Sequence, residues 1–499
     1  MLPFWTIVGA IFASLAILSV ALVILMKPLL RLTTNALSPV IGDGVSRALS
    51  KTGEAYGKNP LGLLPVLEKL TPLGLVELRM RAQTGTPPSR PLGSPLHFSP
   101  WQDLLLDFAN VHPMPTRDQQ KVSLAVTIGP QSKKPLKLDS PVLMAAMSFG
   151  GALSLRARVA LATASSQIGT ATNSGEGVYI AEEREAARHY VIQYHRGTWP
   201  TSPQNQWKVF DKADAIEIQI SQGAQGAAPM TDLSKSIHPE MRRRFGLDAD
   251  ENAVIAGRLK GVTNPQELIS LVKKLKDRFP VPVGIKFAAS NHVEQELPIY
   301  IEAGVDFLTI DGAEGGTHGG PPILQDAMGL PTLWGIARTR RFLEDQGVAD
   351  RISILAAGGL TEPGHFLKAM ALGAVACYSG SALIVAMLAN QMDKAMIEAA
   401  PAYALLLQGT TYLNDEFDEA ASVSNLVNLY RAWHKEFDLA LRAMGKTAVS
   451  QMTREDLVAL TPELSQSLGV PYVGGLFTEP DLPLGKLFEP QDQDPHAPH

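Results

Sequence analysis

A lysine lies inside an otherwise apolar run, VGIKFAAS, where Lys286 is the one charge between Val283 and Ser290. Downstream, two more apolar runs end in small residues, ISILAAGGL at Gly358-Gly359 and AVACYSGS at Gly380-Ser381, with the two turns 22 residues apart. Glycines at such turns let backbone N–H groups approach an anion closely, and a helix starting there favours negative charge. A strand-borne lysine upstream of two anion-binding turns suits a phosphorylated cofactor.

The elements that must carry these residues recur along the chain. PVLMAAMS (141–148), GTATNSGEG (169–177), YVIQYH (190–195) and AIEIQIS (215–221) precede the run around Lys286, FLTID and the two glycine-ended runs. Helix-like segments separate them, LISLVKKLKDRF (268–279) being amphipathic. That alternation of short apolar strands and helices predicts an α/β fold, a (β/α)8 TIM barrel, with the last two turns in the usual phosphate position.

Composition narrows the rest. The chain has 499 residues, a formal charge of −5 and one cysteine, Cys377. Its acidity argues against a nucleic-acid partner, and a lone cysteine excludes an internal disulfide or a cysteine-ligated cluster within it. Cys377, in an apolar run, is read as a small buried hydrophobe. Residues 4–26 are uncharged and long enough to span a bilayer, with Lys27 and Arg31 directly behind them. The expectation is an N-terminal transmembrane helix with the N-terminus outside and the barrel on the cytoplasmic side; a cleaved signal peptide is the rival reading, disfavoured by the missing basic lead and the long apolar core.

The expected organisation is a transmembrane anchor over 1–30, a linker and lead-in over 31–134, the barrel over 135–389, a C-terminal helical extension over 390–475 and a disordered tail over 476–499. GTPPSRPLGSP reads as linker, VSLAVTIG as a capping strand, and EFDLALRAMGK and TREDLVAL as helices, the second capped by Thr453. The basic run Arg242 to Arg244 reads as a solvated face, as do Glu176, His292, Glu314 and His318 near the barrel mouth, with proton transfer as their alternative role.

Taken in order, MSFGGALSLRARVALA, GTATNSGEGVY, EIQISQGA, GIKFA, DGAEGGTHGGPP and AAGGL resemble the FMN-binding barrel of the glutamate synthase family, over about half the chain. The resemblance implies FMN as cofactor. On matching positions it places Met147 and Ser148 beside the flavin ring, and Asn173 and Ser174 at the ring or ribityl chain. It places Lys286 near flavin N1 and O2, and Gly315, Gly316 and Thr317 in the loop after strand 6. Gly358, Gly359, Gly380 and Ser381 fall around the phosphate, and Gln222 close to flavin or substrate. Away from the resemblance, Lys286 could equally be an ion-paired core lysine, and Gln222 a plain polar residue at a strand end.

The departures bear on function. Members that make glutamate read IK-x-x-QGAKPGEGG after strand 4, whereas here Gln219 and Gln225 stand at the two lysine positions and Ala227 and Ala228 interrupt the continuation. A neutral amide does not replace a cation facing the dicarboxylate 2-oxoglutarate. No cysteine follows strand 8 to hold an iron–sulfur cluster, and nothing ahead of the barrel reads as a glutaminase. The expected function is therefore that of a membrane-anchored, FMN-dependent oxidoreductase of the glutamate synthase-like class. It would pass a hydride from reduced FMN to an imine or related small-molecule acceptor, with a separate electron-donor or amidotransferase protein as partner. Glutamate synthase proper and a non-redox FMN-dependent isomerase are the alternatives.

Overall fold

The computed structural model describes residues 71–317, 319–396, 405–407 and 415–475. The apolar run 4–26 and His318 lie outside them, as does the tail from residue 476. Among the described residues no helix is long and apolar enough to cross a membrane. The chain divides into units 1–88 and 89–499. In the first, a helix over Pro72–Thr84 starts where Thr71 Oγ1 accepts from Gly74 N at 3.0 Å, and it ends on Gly85 in the left-handed conformation.

In the second unit, β1 (Val142–Met144), β2 (Ala171–Asn173), β3 (His189–Tyr194), β4 (Ala215–Gln219), β5 (Val283–Ala288), β6 (Phe307–Asp311), β7 (Ser353–Ala357) and β8 (Ala376–Ser379) form one parallel sheet of eight strands. Its order is β1-β8-β7-β6-β5-β4-β3-β2, a nearly closed barrel. At the seam between β1 and β2 a side chain takes the place of a ladder, Thr170 Oγ1 donating to Val142 O at 2.7 Å. Almost every strand residue is buried, as both faces of such a sheet are covered, and this is why the strands read as apolar runs. The polar residues among them are informative: Lys286 pairs in register with Gln219 on one side and Thr309 on the other, so three polar side chains share one level of the barrel interior.

A hairpin of Val126–Ile128 with Leu136–Leu138 closes the N-terminal end, where Gly129 N donates to Ser353 Oγ at 3.1 Å and Lys134 N to Pro280 O at 2.8 Å. Within VSLAVTIG the strand is thus the Val126–Ile128 half of a pair. The excursion after β4 builds a second apolar cluster from Trp199, Met241, Phe245 and Ala253 against Phe149, which steadies the loop leaving β1. The 25-residue helix Glu419–Ala443 packs on the helices Leu155–Ile168 and Ser381–Leu388, with Trp433 edge-on to Phe366 at 5.0 Å.

Three expectations need correction. TREDLVAL is a short turn followed by a strand, Leu457–Ala459, because its apolar end pairs antiparallel with Leu104–Leu106; Thr453 stands at the N-cap position, its N–H and hydroxyl donating to the Asp456 carboxylate at 2.7 and 3.3 Å. The basic run is not simply solvated: Arg244 grips Glu182 at 2.8 Å and lies over the Phe149 ring, while Arg242 donates to Ser234 O. The end of GTPPSRPLGSP is not a loose linker either. Arg90 donates to both carboxylate oxygens of Asp326, at 2.9 and 2.7 Å, and Leu92 N donates to Thr317 O at 2.9 Å, drawing residues 89–94 across the barrel mouth.

Candidate active site

The C-terminal ends of the strands enclose a cavity of about 360 Å³. Met147 and Ser148 reach it from β1, Gln219 and Gln222 from β4, Lys286 from β5, Gly316 and Thr317 from the loop after β6, and Gly358, Gly359, Gly380 and Ser381 from the last two turns. Ser89, Pro91 and Leu92 of the strap complete the wall. Of the residues singled out in the sequence, Asn173, Ser174 and Gly315 do not line it. Asn173 and Ser174 are buried beneath, and Gly315 packs behind, where an added Cβ would stand 2.6 Å from Asp311 Oδ1.

Lys286 Nζ lies 3.0 Å from Asp311 Oδ2, both side chains being less than a tenth exposed. Burial by itself lowers the lysine's pKa, but the fields of Asp311 and then Glu217 outweigh it, and the pKa stands raised. The ion-paired reading of Lys286 and the cavity reading are both realised. Asp311 and Glu217 were missed in the sequence. Their only signal was an acid at an inward position of an apolar strand.

The two glycine turns have the backbone geometry described for them in the sequence. Gly358 and Gly359 have φ of +106° and +69°, and a Cβ at Gly359 would stand 2.6 Å from Glu314 Cβ, so neither position suits a larger residue. The amides of Gly359 and Leu360 make no hydrogen bond within the described residues. The helix Ser381–Leu388 begins at Gly380, and its first amides have no preceding turn to bond. Gly358, Gly359, Leu360, Gly380 and Ser381 all line the cavity, so unbonded amides of both turns belong to its wall, the kind of donor set that suits a phosphate.

Arg158 organises the loops behind this corner. Nearly fully buried, it pairs with Glu183 and donates to the carbonyls of Met147, in the loop after β1, and Asn173, at the end of β2. Glu183 also accepts from Tyr190 OH at 2.9 Å. His195 does similar work for the glycine loop after β2. Gly197 N donates to its Nδ1 at 3.0 Å, so Nε2 carries the proton and donates to Gly177 O at 2.7 Å; burial pushes its pKa down to about 4.

Glu176 and Glu314 are not solvated loop residues. Glu176 is paired with buried Arg196 at 3.3 Å, and Glu314 Oε2 accepts from Thr332 N at 2.9 Å, capping a helix, while its Oε1 has no partner. His292 is exposed, bonded to Gln295. The glutamines form a relay: Gln225 Nε2 donates to Ala228 O at 3.4 Å, Gln222 Nε2 to Gln225 Oε1 at 2.6 Å, and Gln219 Nε2 to Gln222 Oε1 at 3.1 Å. Cys377 is buried, and burial raises its thiol pKa, as for an inert core residue.

Residues 103–447 match the family described as the conserved region in glutamate synthase. The archaeal-type glutamate synthase [NADPH] of Thermotoga neapolitana is 32% identical over 338 residues, which are 66% of this chain and 64% of that one. The chain thus spans just under two thirds of that relative's length. A glutamate synthase large subunit-like protein of Rhizobium meliloti is 29% identical over 80% of this chain and 93% of its own. Among solved structures, a flavocytochrome b2 variant superposes with a TM-score of 0.47 at 13% identity, over 72% of this chain and 76% of its own, too loosely to bear on chemistry.

Proposed function

The chain belongs to the glutamate synthase family, and on that premise we propose that it is an FMN-dependent oxidoreductase acting on a small molecule other than a dicarboxylate. The observation that carries the cofactor is the cradle of unbonded amides at Gly359, Leu360 and the start of the helix Ser381–Leu388, opening on a cavity floored by Lys286. Gly358, Gly359, Gly380 and Ser381 would hold the phosphate, and Met147, Ser148 and Lys286 the ring. FMN, when bound, supplies two-electron hydride chemistry. Lys286 places a fixed cation against the negative charge that reduction brings, and the strap Ser89–Leu92 limits water at the mouth.

The substrate class is read from charge. The charged residues lining the cavity are Lys286 with Glu176, Asp311 and Glu314, and the lysine is already paired. Gln219, in the cavity wall, and Gln225, bonded behind Gln222, carry neutral amides at the two positions where the resemblance expects cations for a dicarboxylate. An imine or amine is the acceptor or donor that such a wall accommodates. Glutamate synthase activity is the second reading, favoured by the names of the relatives. Reducing equivalents, and ammonia if it is used, are supplied by a separate electron-donor or amidotransferase protein. The run 4–26 is proposed as a bilayer anchor with the barrel on the cytoplasmic side, because Lys27 and Arg31 follow it; protease added to intact cells should spare the barrel.

The cofactor assignment is tested by heat or acid release of the chromophore. FMN should be identified by mass spectrometry, and Gly380→Asp, which sets a carboxylate against the phosphate, should abolish its uptake. A wild-type chain that takes up no FMN refutes the assignment.

A further inference from the structure

Below Lys286 the barrel holds a second carboxylate. Glu217, on β4, is 0% exposed. Its Oε1 accepts from Asn173 Nδ2 at 2.9 Å and Gln193 Nε2 at 2.8 Å, and its Oε2 accepts from Thr309 Oγ1 at 2.6 Å. The donors come from β2, β3 and β6, on different sides of the barrel. Two amide donors on Oε1 and a hydroxyl on Oε2 use both oxygens as acceptors, the arrangement a carboxylate makes. Thr309, which bonds Glu217, is the register partner of Lys286 on the adjacent strand, so the carboxylate lies just beneath the lysine's level.

Lys286 already has Asp311 as a direct partner. Buried carboxylates are costly unless compensated, and here two of them share one lysine. Arg158 and Arg196, the other buried cations nearby, are engaged by Glu183 and Glu176. The floor of the cavity therefore carries one negative charge in excess of its cation.

We propose that Glu217, as the surplus carboxylate beneath the ring site, keeps the reduction potential of bound FMN low. The inference rests on the FMN reading above. Negative charge in a water-poor interior opposes the further negative charge that reduction brings, so the reduced cofactor becomes a stronger donor. Asn173 belongs to this assembly too, which explains why it sits under the cavity and not in its wall.

The test is a dye-equilibrated redox titration of the flavin-loaded full-length chain and two variants. Glu217→Gln is isosteric. Its oxygen can keep both amide donors, and its new NH₂ can donate to the Thr309 hydroxyl after that group turns, so the network survives without the charge. The reduction equilibrium of Glu217→Gln should shift at least tenfold toward reduced FMN, about 30 mV upward for a two-electron couple. Thr309→Val removes a hydrogen bond but not the charge, and should shift the potential distinctly less. A potential that is unchanged or lower in Glu217→Gln, or moved equally by Thr309→Val, overturns the inference while the FMN reading stands. A wild-type chain without FMN overturns both.

Discussion

Arg158 and Glu183 face each other with side chains 1% and 0% exposed, and the same guanidinium ties down the carbonyls of Met147 and Asn173. One buried ion pair thereby fixes the loop leaving β1 and the C-terminal end of β2, on either side of the barrel's seam. Removing one partner strands a charge in the interior. Arg158→Met should cost about 3–5 kcal/mol in chemical unfolding, and the double variant Arg158→Met/Glu183→Met should recover part of it. A single variant as stable as wild type would show that the pair does not brace the seam.

His195 predicts a pH dependence. Its folded-state pKa is about 4, held down by burial, against an ordinary value of about 6.5 in the unfolded chain. Between those values the unfolded chain binds the extra proton, so stability is lost as pH falls from about 6.5 towards 4. The loss from this group is up to about 3 kcal/mol. His195→Gln should flatten that segment of the stability curve, and a wild-type curve already flat there would contradict the assignment.

The strap across the mouth hangs on Asp326, which accepts from Arg90 at 2.9 and 2.7 Å and from Ser94 Oγ at 2.6 Å. The hydrogen bonds from Arg90 lead in holding the Asp326 pKa below the usual carboxylate range. The latch is therefore present above the ordinary aspartate pKa and weakens only as pH falls through the depressed one. Asp326→Asn should speed cofactor release several-fold at neutral pH and expose residues 85–95 to limited proteolysis. Release at the wild-type rate would mean that the strap does not gate the cavity.

The glutamine relay predicts poor use of 2-oxoglutarate. A charge-assisted contact contributes about 1.5–3 kcal/mol, so two absent cations weaken binding by roughly two to four orders of magnitude. Chemically reduced protein given 2-oxoglutarate and ammonia should form little glutamate. Gln219→Lys should raise affinity for the dicarboxylate more than Gln225→Lys does, because Gln225 is buried behind Gln222 and a lysine there lacks a partner. Efficient glutamate formation by the wild-type chain would favour glutamate synthase proper.

The barrel was legible in the sequence because strands covered on both faces must be apolar throughout, and because glycine-ended runs such as ISILAAGGL mark where a strand gives way to a turn at the barrel mouth. Lys286 stood out for the same reason, as a charge where the pattern forbids one. The sequence alone also carried the family motifs and the loss of the two lysines at Gln219 and Gln225. What surrounds Lys286 was decided only by the tertiary structure. Asp311 becomes its partner through the pairing of β5 with β6. Glu217 gathers donors from strands far apart in the chain, which no local pattern records. The strap at Arg90 and the strand Leu457–Ala459 were misread for a related reason: proline-rich and short apolar segments have weak local preferences, and distant partners, Asp326 and Leu104–Leu106, settle what they become.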